Sequence, residues 1–218
     1  CVVSVPSMVS AQEQKPNVVY ILADDLGYGD VGYNGQELIE TPELDKLAHN
    51  GMRFTNHYCG NAVCAPSRAS LLMGQHPGHA YIRSNSPGYP DGQTPIPADS
   101  ETLGKLMKRA GYKTACIGKW GLGGFHDKGN PNKQGFDYFY GYTDQVLAHN
   151  YYPKYLWQNG KKQFLDNGNG KQNDYSHDLF TEKAISFIKQ NKNEPFFLYL
   201  AYTIPVSYTH LRAHETTV

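Results

Sequence analysis

Two stretches of this chain are apolar and β-prone without a break: Asn17-Val18-Val19-Tyr20-Ile21-Leu22-Ala23, and the run from Phe196 to Tyr202. A strand with one wet face alternates apolar and polar residues, so an unbroken run calls for cover on both faces. That is the situation of a strand inside a parallel sheet layered by helices. Helix signals lie between the two runs. Thr41 as N-cap, Pro42 at the first helical position, Leu44, Leu47 and Ala48 at helical spacing and Gly51 behind them mark one helix. Pro66 opens a second, carrying Ala69, Leu72 and Met73 and stopped by Gly74. A third spans Glu101 to Ala110 with Gly111 closing it, and Ser176 caps a fourth whose Leu179, Ala184, Phe187 and Ile188 face inward. Met52 to Tyr58 and Tyr112 to Ile117 read as further strands. This alternation predicts an α/β fold, a mostly parallel sheet sandwiched by helices. Residues 84–99, rich in Pro, Gly, Ser and Asp, read as a loop. Residues 121–173 hold many Gly, Asn and Tyr with little periodicity and read as a functional insertion or lid.

A length of 218 residues fits one large domain or a piece of something larger. Lys+Arg and Asp+Glu both total 20, so the chain lacks the basic footprint of a nucleic-acid binder. Its longest apolar candidate, Phe196 to Val206, is far short of the roughly 20 residues of a membrane span. Cys1, Cys59, Cys64 and Cys116 form neither a disulfide scaffold nor a Cys-x-x-Cys metal knuckle, although Cys59 and Cys116 could pair in an oxidising compartment. Residues 1–11 read as the tail of a secretory signal, with small residues Val9-Ser10-Ala11 before polar Gln12 to Lys15. A periplasmic or secreted protein is therefore expected. From Val206 onward the string resembles a translated sequencing adapter, so residues 206–218 are set aside as a non-native tail and the domain, truncated at its C-terminus, is taken as residues 16–205.

Ligands of open parallel sheets collect at the carboxyl ends of the strands, and three features of the sequence fall there. Asp24-Asp25 follows the first strand: adjacent carboxylates repel unless a cation lies between them, and hard oxygen donors favour Ca²⁺ or Mg²⁺ over zinc. A solvated Asp-Asp-x-Gly turn is the alternative. Cys64 stands just before a helix N-terminus, where free N–H groups stabilise negative charge, and Arg68 follows one turn later, able to fold back towards it. Lys119 follows the 112–117 strand, beside Trp120 and Gly121-Leu122-Gly123-Gly124, suited to clamp a sulfate or phosphate oxygen.

Ala62-Val63-Cys64-Ala65-Pro66-Ser67-Arg68, followed by Leu71-Leu72 and Gly74, resembles the signature of the sulfatases. Gly111-Tyr112-Lys113-Thr114-Ala115-Cys116-Ile117-Gly118-Lys119-Trp120 resembles their second signature, Pro16 to Gly29 their opening strand, and Phe196 to Pro205 a later one. The resemblance covers Pro16 to Pro205 in order. It implies an alkaline-phosphatase-like fold, the N-terminal part of a catalytic domain, and hydrolysis of sulfate esters on a small molecule or glycan. It further implies that a formylglycine-generating or anaerobic sulfatase-maturating enzyme converts Cys64 to formylglycine, that Asp24, Asp25 and residue 64 ligate Ca²⁺ or Mg²⁺, that Arg68 steadies the hydrated aldehyde and that Lys119 binds the sulfate.

The chain departs from the pattern of that family at three places. Gly121 stands where a histidine often follows the lysine by two positions, and His149 is the candidate to replace it as catalytic and substrate-binding group. Val206 stands where the family has a histidine after the proline, and further metal ligands and a second lysine belong beyond this sequence. His76 and His79 read as structural, Arg83 and Asn85 as bordering the pocket, and Tyr138 to Tyr155 with Trp157 as either a sugar platform or an aromatic mini-core under a lid. Two other functions share these features: a phosphomonoester or phosphonate ester hydrolase of the same superfamily, and a non-catalytic sulfoglycan-binding protein that kept the scaffold.

Overall fold

The computed structural model describes residues 15–88 and 92–205; the readings at residues 1–11 and 206–218 lie outside them. The elements follow one another as β1 (Val18–Asp24), α1 (Pro42–Asn50), α2 (Cys64–Met73), the short β2 (Pro87–Gly88) and β3 (Gly92–Gln93), α3 (Leu103–Arg109), β4 (Lys113–Lys119), β5 (Tyr138–Tyr142), β6 (Tyr155–Gln158), β7 (Lys161–Phe164), α4 (Ser176–Asn191) and β8 (Phe196–Pro205). β2 and β3 form a small antiparallel pair, while the other strands make one six-stranded sheet in the order β1-β8-β4-β5-β6-β7. The four strands from β1 to β5 in that order run parallel, and β6 and β7 continue the sheet antiparallel. This is the mostly parallel α/β sheet that the sequence predicts.

The unbroken apolar runs find their reason in the central strands. Successive side chains of a strand point to opposite faces. On β8, Phe197, Tyr199 and Ala201 join Ala65, Ala69, Leu72 of α2 and Trp120 and Phe136 in one core layer. Phe196, Leu198 and Leu200 face the other way, onto Phe180, Ala184 and Phe187 of α4. β4 divides likewise, Cys116 to the first layer and Ala115 and Ile117 to the second. β1 departs from the expectation: Val18, Tyr20 and Leu22 pack on the first layer, but Val19 and Ile21 are exposed. β1 is an edge strand, and α4 lies over β8, β4 and β5 without reaching it.

Four local readings are corrected. Residues 52–58 form no strand; Met52, Phe54 and Tyr58 are exposed, so nothing pairs or packs to hold them extended. The stretch 121–173 is no separate lid, since it supplies β5, β6 and β7 to the sheet. Two of its tyrosines are core, Tyr140 and Tyr142 packing edge-on against Phe180, and Trp157 is buried, while Tyr138, Tyr151, Tyr152 and Tyr155 are half-buried. Helix α2 starts at Cys64, two residues before Pro66, and helix α4 has Tyr175 rather than Ser176 at its N-cap. Cys59 and Cys116 are both free, Cys59 exposed and Cys116 buried in the core.

Three strands meet at closest range just before Lys119. Gly118, at a φ of +109°, pairs with Ala201 of β8 on one side and Gly141 of β5 on the other. A Cβ on Gly118 would stand 2.0 Å from the Ala201 carbonyl oxygen, which is backbone and cannot turn away. Gly118→Ala is therefore expected to lower stability by at least about 2 kcal/mol, from the strained φ together with the displaced strand. Urea unfolding measures it, and an unchanged midpoint would show that β4 and β8 can separate there freely.

Candidate active site

The site sits at the carboxyl ends of β1 and β4 and the N-terminus of α2. Asp24 closes β1, Lys119 closes β4 and Arg68 lies in the second turn of α2. Lys119 thus ends its strand rather than following it, its backbone paired with Tyr142 of β5, one residue beyond the last pairing of β4 with β8. All three side chains are withdrawn from solvent, Lys119 at 0%, Arg68 at 1% and Asp24 at 5% exposure. Lys119 Nζ donates to Asp24 Oδ2 at 2.6 Å. Arg68 Nη1 donates to the Lys119 carbonyl at 2.6 Å, and its Nη2 lies 3.2 Å from Asp24 Oδ1. The latter contact is an ion pair without hydrogen-bond alignment, since Nη2 and Nε have no acceptor in line.

Charge explains why Asp24 and Arg68 stay ionised. Burial pushes the Asp24 carboxyl up, but Arg68 and Lys119 more than reverse it and hold the group below its ordinary range. Burial likewise works against the Arg68 charge, and the anionic forms of Tyr199, Asp24 and Cys64 outweigh it, raising its pKa. Two cations nevertheless face one buried carboxylate. Within these three buried groups positive charge is in excess, a condition that favours a further anionic group beside them, and the exposed carboxylate of Asp25 is one.

Cys64 is the first residue of α2 and half-buried. Its position in the helix rather than before it leaves the first-turn amides around it. One of them, the Ala65 N–H, is taken by Asn85 Oδ1 at 3.0 Å, so Asn85 acts as a helix cap from a distant loop. Asp25 is exposed and holds a left-handed φ of +62°, a conformation Asp tolerates better than most residues. Asp24, Asp25 and Cys64 each offer one ligand atom within 4.8 Å of the others. Two hard carboxylates with a soft sulfur are a mixed donor set, ill matched to Ca²⁺ or Mg²⁺. With oxygen in place of the sulfur at residue 64 the set becomes uniformly hard and fits either ion as part of its shell.

Other residues singled out in the sequence lie around this cluster or apart from it. His149 is the exposed end of a 3-10 turn, Leu147–His149, in the segment that leaves β5, and is not among the partners of Asp24, Arg68 and Lys119 named above. His76 accepts the Gly78 N–H at Nδ1 and meets His79 edge-on, a structural pairing. Arg83 donates to the Gly78 and Ala80 carbonyls. Sequence reasoning missed Gln145. A Cβ on Gly121 would fall 1.9 Å from the Gln145 amide nitrogen, so the buried Gln145 fills the room a side chain at 121 would need. Its Oε1 has no hydrogen-bond partner. A lone glutamine in a Gly-, Asn- and Tyr-rich stretch has no spacing to betray it.

Comparison with known proteins agrees with this geometry. The family model described as Sulfatase matches residues 16–205. Mouse arylsulfatase J is 35% identical over 215 residues, covering 90% of this chain and 33% of that protein. N-acetylglucosamine-6-O-sulfatase of Bacteroides thetaiotaomicron is 34% identical over 186 residues, covering 85% of this chain and 30% of that protein. Among solved structures, Ps i-CgsB in complex with k-i-k-neocarrahexaose superposes with a TM-score of 0.77 at 34% identity, over 88% of this chain and 46% of that one. The chain thus spans about a third of these curated relatives. With the family's pattern matched from the first strand to the last, the chain belongs to the sulfatase family.

Proposed function

We propose that this chain carries the nucleophile and half of the charge machinery of a sulfuric ester hydrolase acting on a sulfated carbohydrate or aryl sulfate. The observation that carries the reading is the buried Asp24–Arg68–Lys119 cluster, with its surplus positive charge, next to Cys64 at the N-terminus of α2. Sulfated sugars as substrates are supported by the relatives' names, one of which is an N-acetylglucosamine-6-O-sulfatase. An exported, periplasmic or secreted location is proposed from the small-residue cleavage signal before Gln12. No helix among the described residues is long and apolar enough to cross a membrane.

In this reading Cys64 is converted to formylglycine by a maturating enzyme. One hydroxyl of the hydrated aldehyde attacks sulfur as the alcohol leaves; the other then loses its proton, the aldehyde re-forms and sulfate departs. The first-turn amides of α2 and the Arg68 guanidinium lower the cost of negative charge on residue 64. Lys119, free of solvent, is the point charge for the sulfate oxygens. Asp24 holds both cations at fixed distance, and Asp24, Asp25 and the oxygen of residue 64 would hold Ca²⁺ or Mg²⁺, which supplies Lewis acidity to the ester. His149 is retained as a proposed contact to the leaving group from the segment after β5. Gln145 is added to it because its amide lies beside Gly121, two residues beyond Lys119, and its oxygen has no hydrogen-bond partner.

Turnover by the protein isolated from its native host tests the reading. 4-Nitrophenyl sulfate is expected to be hydrolysed faster than 4-nitrophenyl phosphate, and the peptide spanning Cys64 to carry an aldehyde in mass spectrometry. Faster phosphate release would move the assignment to phosphoester hydrolysis; an unmodified thiol without turnover would make the protein a binder. Lys119→Ala is expected to lose about 100- to 1,000-fold in kcat/KM for the sulfate ester.

The charge cluster has a consequence separate from turnover. Asp24→Asn leaves Arg68 and Lys119 buried without their carboxylate, and is expected to cost about 3–5 kcal/mol in urea unfolding. Because the folded-state pKa of Asp24 lies below its unfolded value, its contribution is present above the ordinary carboxylate pKa and lost as pH falls through the folded one. The wild-type chain should therefore lose stability in acid more steeply than Asp24→Asn. Parallel acid profiles would remove the carboxylate from its place as keystone.

A further inference from the structure

β8 does not run evenly alongside β1. From Leu22 to Asp24 is two steps on β1, whereas their partners Ala201 and Pro205 are four steps apart on β8. The ladder to β4 on the other side ends at Ala201. Tyr202, Thr203 and Ile204 therefore form a bulge at the carboxyl end of β8, between the strands that deliver Asp24 and Lys119. Bulges re-aim a strand and leave amides without a ladder partner. Thr203 is wholly buried, so its N–H needs an acceptor from elsewhere.

That acceptor is a histidine. The Thr203 N–H donates to His177 Nε2 at 3.2 Å, and the Thr203 hydroxyl lies 3.1 Å from the same nitrogen. His177 belongs to the first turn of α4, 5% exposed, in an aromatic cage. Tyr202 stacks on it with ring centroids 5.5 Å apart, and Tyr151, Tyr175 and Phe180 surround it at 5.4, 5.3 and 5.6 Å. The Tyr151 hydroxyl reaches the Thr203 carbonyl at 3.5 Å, so both backbone groups of the bulged residue end in this cage. An imidazole that accepts at Nε2 is neutral and carries its proton on Nδ1, which faces Ser176 Oγ at 3.5 Å.

We propose that His177 is a positioning residue: by accepting the amide that the β8 bulge frees, it fixes Pro205 opposite Asp24 and keeps that carboxylate in register with Arg68 and Lys119. The catalytic consequence rests on the sulfatase reading of the cluster; the anchor itself does not. The groups facing the ring are the three tyrosines, Phe180, Ser176 and Thr203, and the charge acting on it is that of Asp178, next in α4. Burial pulls its pKa down from 6.5 to about 4, against the smaller upward pull of Asp178. The opened state binds a proton more readily than the closed one, so the anchor weakens as pH falls from the ordinary histidine range towards 4, and at that point the bound ring itself loses its lone pair.

Hydrogen exchange at the Thr203 amide of the whole chain, corrected for the intrinsic rate, reads the anchor directly. Protection in the wild type is expected to fall about tenfold or more between pH 6.5 and 4, the loss of one buried hydrogen bond to a local opening. His177→Gln, which keeps a neutral acceptor that cannot titrate, should hold its protection across that range, and His177→Leu should lack it throughout. With 4-nitrophenyl sulfate, kcat should drop about tenfold in His177→Leu with KM little changed, and His177→Gln should restore most of it. Protection at Thr203 that ignores pH in the wild type, or that is equal in the Leu and wild-type chains, overturns the anchor. If His177→Leu fails to fold, the pH comparison of wild type with His177→Gln decides alone. Absence of turnover in the wild type would overturn the sulfatase reading while leaving the exchange result to stand or fall by itself.

Discussion

The carboxylate of Asp24, shared between Lys119 at 2.6 Å and Arg68 at 3.2 Å, is the contact on which the arrangement depends. Taking three charges out of water costs several kcal/mol for each, and mutual attraction offsets that only when the geometry is held closely. The three groups come from β1, α2 and β4, with Asp24 and Lys119 95 residues apart in sequence. The sheet must therefore be in register before the charges can be buried at all. Within the buried trio the two cations outnumber the one carboxylate, and the exposed carboxylate of Asp25 stands beside it.

Neutralisation of Asp24 does not occupy all of the Arg68 donors. Arg68 commits Nη1 to the Lys119 carbonyl and leaves Nε and Nη2 without an aligned acceptor. Buried donors left in that state are costly unless something else completes them. Residue 64 stands one turn earlier in the same helix, near enough that its anionic form raises the Arg68 pKa. In the proposed reading an oxyanion at residue 64 is the group that completes these guanidinium hydrogens.

Much of this was legible in the sequence, for identifiable reasons. The apolar runs ending in Asp24 and Pro205, and the strand ending at Lys119, name strands because they are β-prone at nearly every position; both faces are covered in β4 and β8, and one face in β1. Proline and glycine bounded α1 and α2 within two residues. What failed was everything decided by partners instead of by the local chain. Residues 52–58 have strand composition but pair with no strand among the described residues, while 138–164 look irregular and yet pair as β5, β6 and β7. Gln145 filling the space at Gly121, and His177 taking the amide of Thr203, are contacts over 24 and 26 residues that no periodicity encodes.

Position of the carboxylate is transmitted through β8. Among the described residues β1 pairs only with β8, and its outer face, with Val19 and Ile21, is bare. α1 adds no hold, since none of its side chains is buried. Whatever fixes the last turn of β8 hence fixes Asp24, and a strand cannot do it by ladder alone where it bulges. The helix that packs on the far side of the sheet supplies the missing bond from its first turn. Core packing by α4 and placement of the charges at the opposite edge of the strand are in that sense one construction: Phe180, Ala184 and Phe187 seat the helix on β8 and β4, and the seated helix presents His177 to the bulge.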